Sequence, residues 1–194
     1  MKFIVTGLHS SGKLEVARIL SSNGVKVGKL FTNLDSDPKY SPELYDRLPT
    51  DEINRIFENA AYIYFSEMNN SITNNYECLS SSEFDNCDVF VLSPNQLNNI
   101  PMKRLPDSVC FVWMDCNSSN RSDRYRAEKR QYNFKEREDL ERTDLSDFVD
   151  KLYNFPDSRI IYFQNEDPQR VAAVVEIMVK FPETVDIVSK SFRS

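Results

Sequence analysis

The sequence predicts a three-layer α/β fold, in which helices cover both faces of a parallel five-stranded sheet and two segments are inserted between core strands. Five short stretches read as buried strands, at roughly 2–6, 25–31, 88–93, 109–115 and 159–163. Three of them are near-continuous apolar runs, the pattern left when helices cover both faces of a parallel sheet. Helical patterns alternate with them, which implies right-handed βαβ crossovers.

The first strand (KFIVT) runs through a short loop into a helix at 13–22, closed by the C-cap signal Ser22-Asn23-Gly24. The second strand is VKVGKLF. The stretch 32–87 is long for a single crossover, so it is expected to form a lobe packed beside the sheet. Within it a helix starts at Thr50, whose hydroxyl can cap it, with Ile53, Ile56 and Phe57 at helical spacing. Residues 69–82 (NNSITNNYECLSSS) read as a polar loop. After the strands DVFVLS and VCFVWMD come charged helices at about 120–131 and 135–152. The strand RIIYF follows, then a helix at 168–180 opened by Asp167-Pro168 and a short terminal helix at 183–191. All of this fits one domain. Its core is 1–31, 88–116 and 143–194, its lobe about 32–87, and its second inserted segment about 117–142.

A net charge of -6 argues against extended nucleic-acid binding and against an anionic membrane surface. The apolar run at the N-terminus is too short for a signal peptide or a membrane span. Four cysteines without a CxxC pair, beside a single histidine, argue against zinc. Reduced thiols and a cytoplasmic location are the expectation. A homodimer is allowed by the sequence but not specified by it.

Chemistry concentrates in one loop. Only four glycines occur in the chain, and two of them flank Gly7-Leu8-His9-Ser10-Ser11-Gly12-Lys13, a GxxxxGK pattern between a strand and a helix. Glycines at both ends let the backbone wrap an anion, and the loop N–H groups and the helix N-terminus then point at phosphate oxygens. Lys13 supplies a fixed positive charge toward the outer phosphates. His9 is placed to donate to a phosphate oxygen. The next residue is Leu14, where a Ser or Thr hydroxyl would ligate magnesium. Magnesium would then be held through water, the nucleotide and a carboxylate elsewhere, with Asp115, Asp35 and Asp37 as candidates.

Beyond the loop, the stretch from Pro49-Thr50-Asp51 to Glu58-Asn59 is followed by Tyr62-Ile63-Tyr64-Phe65-Ser66-Glu67 and Tyr76. Then come Leu105-Pro106-Asp107-Ser108-Val109-Cys110-Phe111-Val112-Trp113, an arginine-rich segment, a last strand and a last helix. This order resembles a P-loop nucleoside monophosphate kinase, most closely the guanylate kinase-like group. The resemblance implies a P-loop NTPase-type core, an inserted monophosphate-binding lobe and an arginine-rich lid. It also implies ATP with Mg2+ as donor and a nucleoside monophosphate as acceptor. On this resemblance Gly7 to Leu14 hold the donor, and Tyr45, Arg47, Glu67, Tyr76 and Ser93 stand at the acceptor. Ser93 occupies the place of an expected aspartate, and the segment Phe31-Thr32-Asn33-Leu34-Asp35 lacks the arginine expected there. The acceptor site is therefore divergent and its base is left open.

The arginine-rich segment runs from Arg121 to Arg142. Phosphoryl transfer needs cations around the migrating group, and the planar fork of arginine grips phosphate in two places. Arg124, Arg130, Arg137 and Arg142 are the expected catalytic arginines beside Lys13. The alternative for each is a solvated helix whose arginines pair with Glu128, Glu138 and Glu141. At the level of the whole chain the alternative is a non-catalytic nucleotide-binding or scaffold protein on the same fold, since fold alone does not establish activity.

Overall fold

The computed structural model describes residues 1–34, 41–69, 74–106, 108–127, 133–153, 159–164 and 167–191. The core elements are β1 (Lys2–Thr6), α1 (Lys13–Ser22), β2 (Leu30–Thr32), β3 (Tyr45–Arg47), α2 (Thr50–Glu58), β4 (Tyr62–Asn69), β5 (Asn74–Ser80) and α3 (Ser81–Asn86). They are followed by β6 (Val89–Val91), α4 (Pro94–Asn98), β7 (Val109–Asp115), α5 (Ser118–Ala127), α6 (Phe134–Tyr153), β8 (Arg159–Gln164), α7 (Pro168–Lys180) and α8 (Val185–Ser191).

The main sheet is parallel, in the order β6-β1-β7-β8. Successive side chains of a strand point to opposite faces, so a strand buried on both sides has no polar phase. Phe3 and Val5 pack with Val16, Leu20, Val171 and Val175 of α1 and α7. Ile4 packs on the other face with Phe90, Phe111 and Phe148. The thiol of Cys110 belongs to the first of these interiors and that of Cys78 is buried on β5, and desolvation pushes each up to about 12, which disfavours the reactive thiolate.

The main sheet has four strands where five were expected, because the stretch 25–31 divides. Val27 makes one parallel bridge to Val89, and the Lys26 carbonyl accepts the Asp88 N–H at 2.8 Å. The Phe90 ring fills the space at Gly28, where a Cβ would stand 2.1 Å from it. The chain then leaves this sheet, and Leu30–Thr32 enters a second one, ordered β3-β2-β5-β4.

The polar stretch read as loop at 69–82 is, in its described part, the central strand β5 and the start of α3. Asn75, Glu77, Cys78, Leu79 and Ser80 are buried there, so pairing on both sides overrides a composition typical of turns. Thr50 does not cap α2. Pro49 is the N-cap residue, and the Thr50 hydroxyl accepts a hydrogen bond from Asn33 Nδ2 at 3.0 Å. Asp167 caps α7 as expected, its carboxylate accepting the Gln169 N–H at 3.1 Å. Among the described residues no helix is long and apolar enough to cross a membrane.

Candidate functional site

The loop between β1 and α1 is folded so tightly that only glycine fits its two ends. Gly7 has φ +144° and a Cβ there would stand 2.2 Å from the Met114 carbonyl oxygen. Gly12 has φ +102°, and its Cβ would stand 2.8 Å from Cγ of Pro168. Ser10 sits at φ +55°, a left-handed turn that helps curl the backbone. Leu8 and Ser11 are buried beneath the loop, while His9, Ser10, Gly12, Lys13 and Leu14 face a cleft. Lys13 Nζ folds back and donates to the carbonyls of Gly7 at 2.6 Å and Leu8 at 2.7 Å.

A helical arm, α5 and α6, packs on this loop through His9. The imidazole lies edge-on to Tyr125 of α5 and Phe134 of α6, with ring centroids 5.4 and 4.8 Å away. The His9 backbone N–H donates to Glu141 Oε2 at 2.5 Å, and Nδ1 lies 3.0 Å from the same oxygen. Burial pushes the Glu141 pKa up, but the hydrogen bond from His9 and the charge of Lys13 outweigh it, and the carboxyl stays ionised with a pKa of about 2. Arg137 Nε donates to its other oxygen at 2.9 Å.

The root of the arm is held by Arg121, which is fully buried. Its Nε donates to the Cys116 carbonyl at 2.9 Å and its Nη2 to Glu138 Oε1 at 2.6 Å. Arg142 donates to the same Glu138 oxygen, and Ser118 Oγ to the other at 3.2 Å. These cations and hydrogen bonds hold the Glu138 carboxyl below the usual carboxylate range against the opposing effect of its desolvation.

Opposite the arm stands a polar floor. Gln96 Nε2 donates to Tyr45 Oη at 3.0 Å and to the buried carboxylate of Glu77. Gln96 Oε1 accepts the Ser93 N–H at 2.7 Å and Ser93 Oγ accepts the Gln96 N–H at 3.3 Å, a capping box that opens α4. Loop, arm and floor line a single cleft of about 800 Å³.

A crystal structure of guanylate kinase from Anaplasma phagocytophilum matches this architecture with a TM-score of 0.53 at 15% identity, over 93% of this chain and 84% of that one. The chain has a guanylate kinase-like fold. A structure of an unliganded sugar kinase from a Janibacter species covers 95% of this chain and 96% of its own, with a TM-score of 0.44 and 14% identity. No family model matches the sequence, and no curated protein matches it.

Within this cleft the expected residues divide. Lys13, Arg124 and Arg137 face the same space, with Arg124 Nη1 3.4 Å from the Ser10 carbonyl. Arg142 does not: it is half exposed and paired along α6 with Glu138. Arg130 lies outside the described residues. On the floor, Tyr45 and Ser93 line the cleft. Arg47 is exposed on the edge strand β3 and does not line it.

Glu67 and Tyr76 form a cross-strand pair on the wrong face of the hairpin. Tyr76 packs on Phe65, in an aromatic row with Phe57 of α2, while the neighbouring pair Ser66 and Glu77 turns to the cleft. A shift of one residue in phase separates the two pairs. Glu77 and Gln96 were not singled out from sequence, Glu141 was named only as an ion-pair partner, and Arg121 only as the start of the arginine-rich segment. The alternation YIYFSE over β4 was the one available signal, and its phase is set by which face meets the core.

At both ends of the loop a Cβ would meet the chain itself, the Met114 carbonyl at Gly7 and Pro168 at Gly12, so only glycine allows the tight curl that a phosphate chain would need. For magnesium the donor set is thin. Leu14 lines the cleft without a hydroxyl, and no group of three metal-ligating side chains occurs among the described residues. Asp115 accepts a hydrogen bond from Tyr162 Oη at 2.6 Å, and Asp35 and Asp37 lie outside the described residues. A magnesium ion here would arrive on the phosphates themselves, keeping most of its waters.

Proposed function

We propose that this protein is a phosphotransferase that moves the terminal phosphoryl group of ATP to a nucleoside monophosphate. The observation that carries the reading is one cleft lined by the loop with Lys13, by Arg124 and Arg137 from the arm, and by the polar floor of Tyr45, Glu77 and Gln96. The loop N–H groups and Lys13 would hold the donor phosphates. The arm would act as a lid whose two arginines neutralise charge spread over the migrating group and exclude water. The floor, rigid through its Gln96 hydrogen bonds, would orient the acceptor so that attack is in line. No covalent enzyme intermediate is required. When bound, Mg2+ supplies charge neutralisation between the outer phosphates.

The test is coupled ADP release with a panel of ribo- and deoxynucleoside monophosphates, wild type against Lys13→Ala. Acceptor-dependent turnover that disappears in Lys13→Ala is the expected result. Measurable ATP binding without turnover on any acceptor would sink the enzyme and leave a nucleotide-binding scaffold. If ATP also gives no protection against thermal unfolding, nucleotide binding itself is refuted, because a ligand bound only to the native state must stabilise it.

A further inference from the structure

The phosphate loop already holds an anion, and it belongs to the chain. Glu141 reaches in from α6, and its Oε2 takes the His9 backbone N–H at 2.5 Å together with Nδ1 at 3.0 Å. Oriented N–H groups of such a loop are the donors a phosphate oxygen seeks. The side chains of His9 and Glu141 are about as buried as core residues, with relative exposures of 4% and 5%. The contact is therefore seated and not a surface encounter. The same carboxylate ties up Arg137, one of the two described arm arginines that face the cleft. The aromatic contacts of His9 with Tyr125 and Phe134 make this the point where both arm helices meet the loop.

We propose that Glu141 is a donor-gating latch: its carboxylate occupies a loop N–H that an incoming polyphosphate must take, and the exchange of one anion for the other frees Arg137. This rests on the loop being a polyphosphate site. A phosphate oxygen that replaces Glu141 restores the hydrogen bond to His9, so the loop loses nothing. Arg137, released from its i, i+4 partner, can then turn to the phosphates. Binding of the donor and assembly of the arginine clamp thus become one event. The latch also sets which anions are admitted, since a ligand must contribute enough contacts elsewhere in the loop to outcompete a carboxylate already in place. Glu141 is on this account a positioning residue, not one that touches the reacting atoms.

Calorimetric titration of tripolyphosphate into the full chain tests it, comparing wild type, Glu141→Gln and Glu141→Asp. Aspartate keeps the charge but is one methylene too short to reach the His9 N–H, so it separates latching from repulsion at a distance. Both variants should bind about tenfold tighter or more, the equivalent of removing one competing charge-assisted hydrogen bond. Glu141→Asp binding like wild type, or Glu141→Gln binding no tighter, overturns the latch. Equal binding by all three proteins overturns it while leaving the polyphosphate site standing. No binding by any of them refutes the site and the latch with it. Thermal melts establish that each variant is folded, and should Glu141→Gln fail to fold, the Glu141→Asp comparison decides.

Discussion

Replacing Arg121 with alanine strikes the root of the arm without touching the cleft. The guanidinium is fully buried and bridges the Cys116 carbonyl at 2.9 Å, just after β7, to Glu138 of α6 at 2.6 Å. Its carbon lies 5.5 Å from the centre of the Phe134 ring. Breaking a buried ion pair by removing one partner costs about 3–5 kcal/mol. Two features place this case at the low end. Glu138 keeps Arg142 and Ser118 as partners, and Arg121 Nη1 has no partner among the described residues, so part of the desolvation cost is already present in the wild type. We expect Arg121→Ala to lose about 3 kcal/mol in urea unfolding. A double-mutant cycle with Glu138→Gln should show a coupling of about 2 kcal/mol. A loss below about 1 kcal/mol, or sites that behave additively, would refute the view that this pair ties the arm to the sheet.

Gly7→Ala should destabilise the protein by about 3 kcal/mol or more, because the new Cβ meets the Met114 backbone rather than a flexible side chain; urea unfolding checks it. The Glu141 pKa of about 2 lies below its ordinary 4.5, so its contribution to stability is present above pH 4.5 and lost as pH falls toward 2. The melting temperature of wild type should therefore fall more steeply across that window than that of Glu141→Gln. Leu14→Ser restores a hydroxyl beside Lys13, and half-maximal turnover should then need less Mg2+, read from a magnesium titration at fixed ATP. Glu77→Gln removes the floor's buried charge; KM for the acceptor should rise about tenfold or more while ATP affinity is unchanged, and an unaltered KM would remove Glu77 from the acceptor site.

The main sheet was legible because burial on both faces leaves a mark that composition reveals: Phe3-Ile4-Val5 and Val109 to Met114 have no polar phase to hide. The tight loop left its mark for a similar reason, since packing against Met114 and Pro168 tolerates only glycine at Gly7 and Gly12. The lobe did not. Its central strand is polar, and whether Glu67 with Tyr76 or Ser66 with Glu77 faces the cleft depends on where α2 packs, a tertiary fact. The arginine-rich segment was visible as a group, but sequence could not divide it. Arg142 pairs with Glu138 at the i+4 spacing visible in sequence, but nothing there marks Arg121 as sharing that carboxylate, and Glu141 looked like any i+4 partner of Arg137 until the fold brought His9 against it.

The way the chain leaves and re-enters the main sheet has a consequence for how such a protein can change. Lys26 and Asp88 are hydrogen-bonded neighbours, and Val27 lies beside Val89, so the whole second sheet is inserted at one spot on the edge of the first. It is attached like a cassette, with entry and exit side by side. The cassette also packs on the core, with Leu30, Ile63, Tyr64 and Leu79 against Ile4 and Phe90, so a different cassette spliced between these two residues would have to keep that apolar face. Under the proposed function, acceptor preference would then change with the cassette while the glycine loop and the arm stay with the main sheet, provided that the shared apolar face is kept.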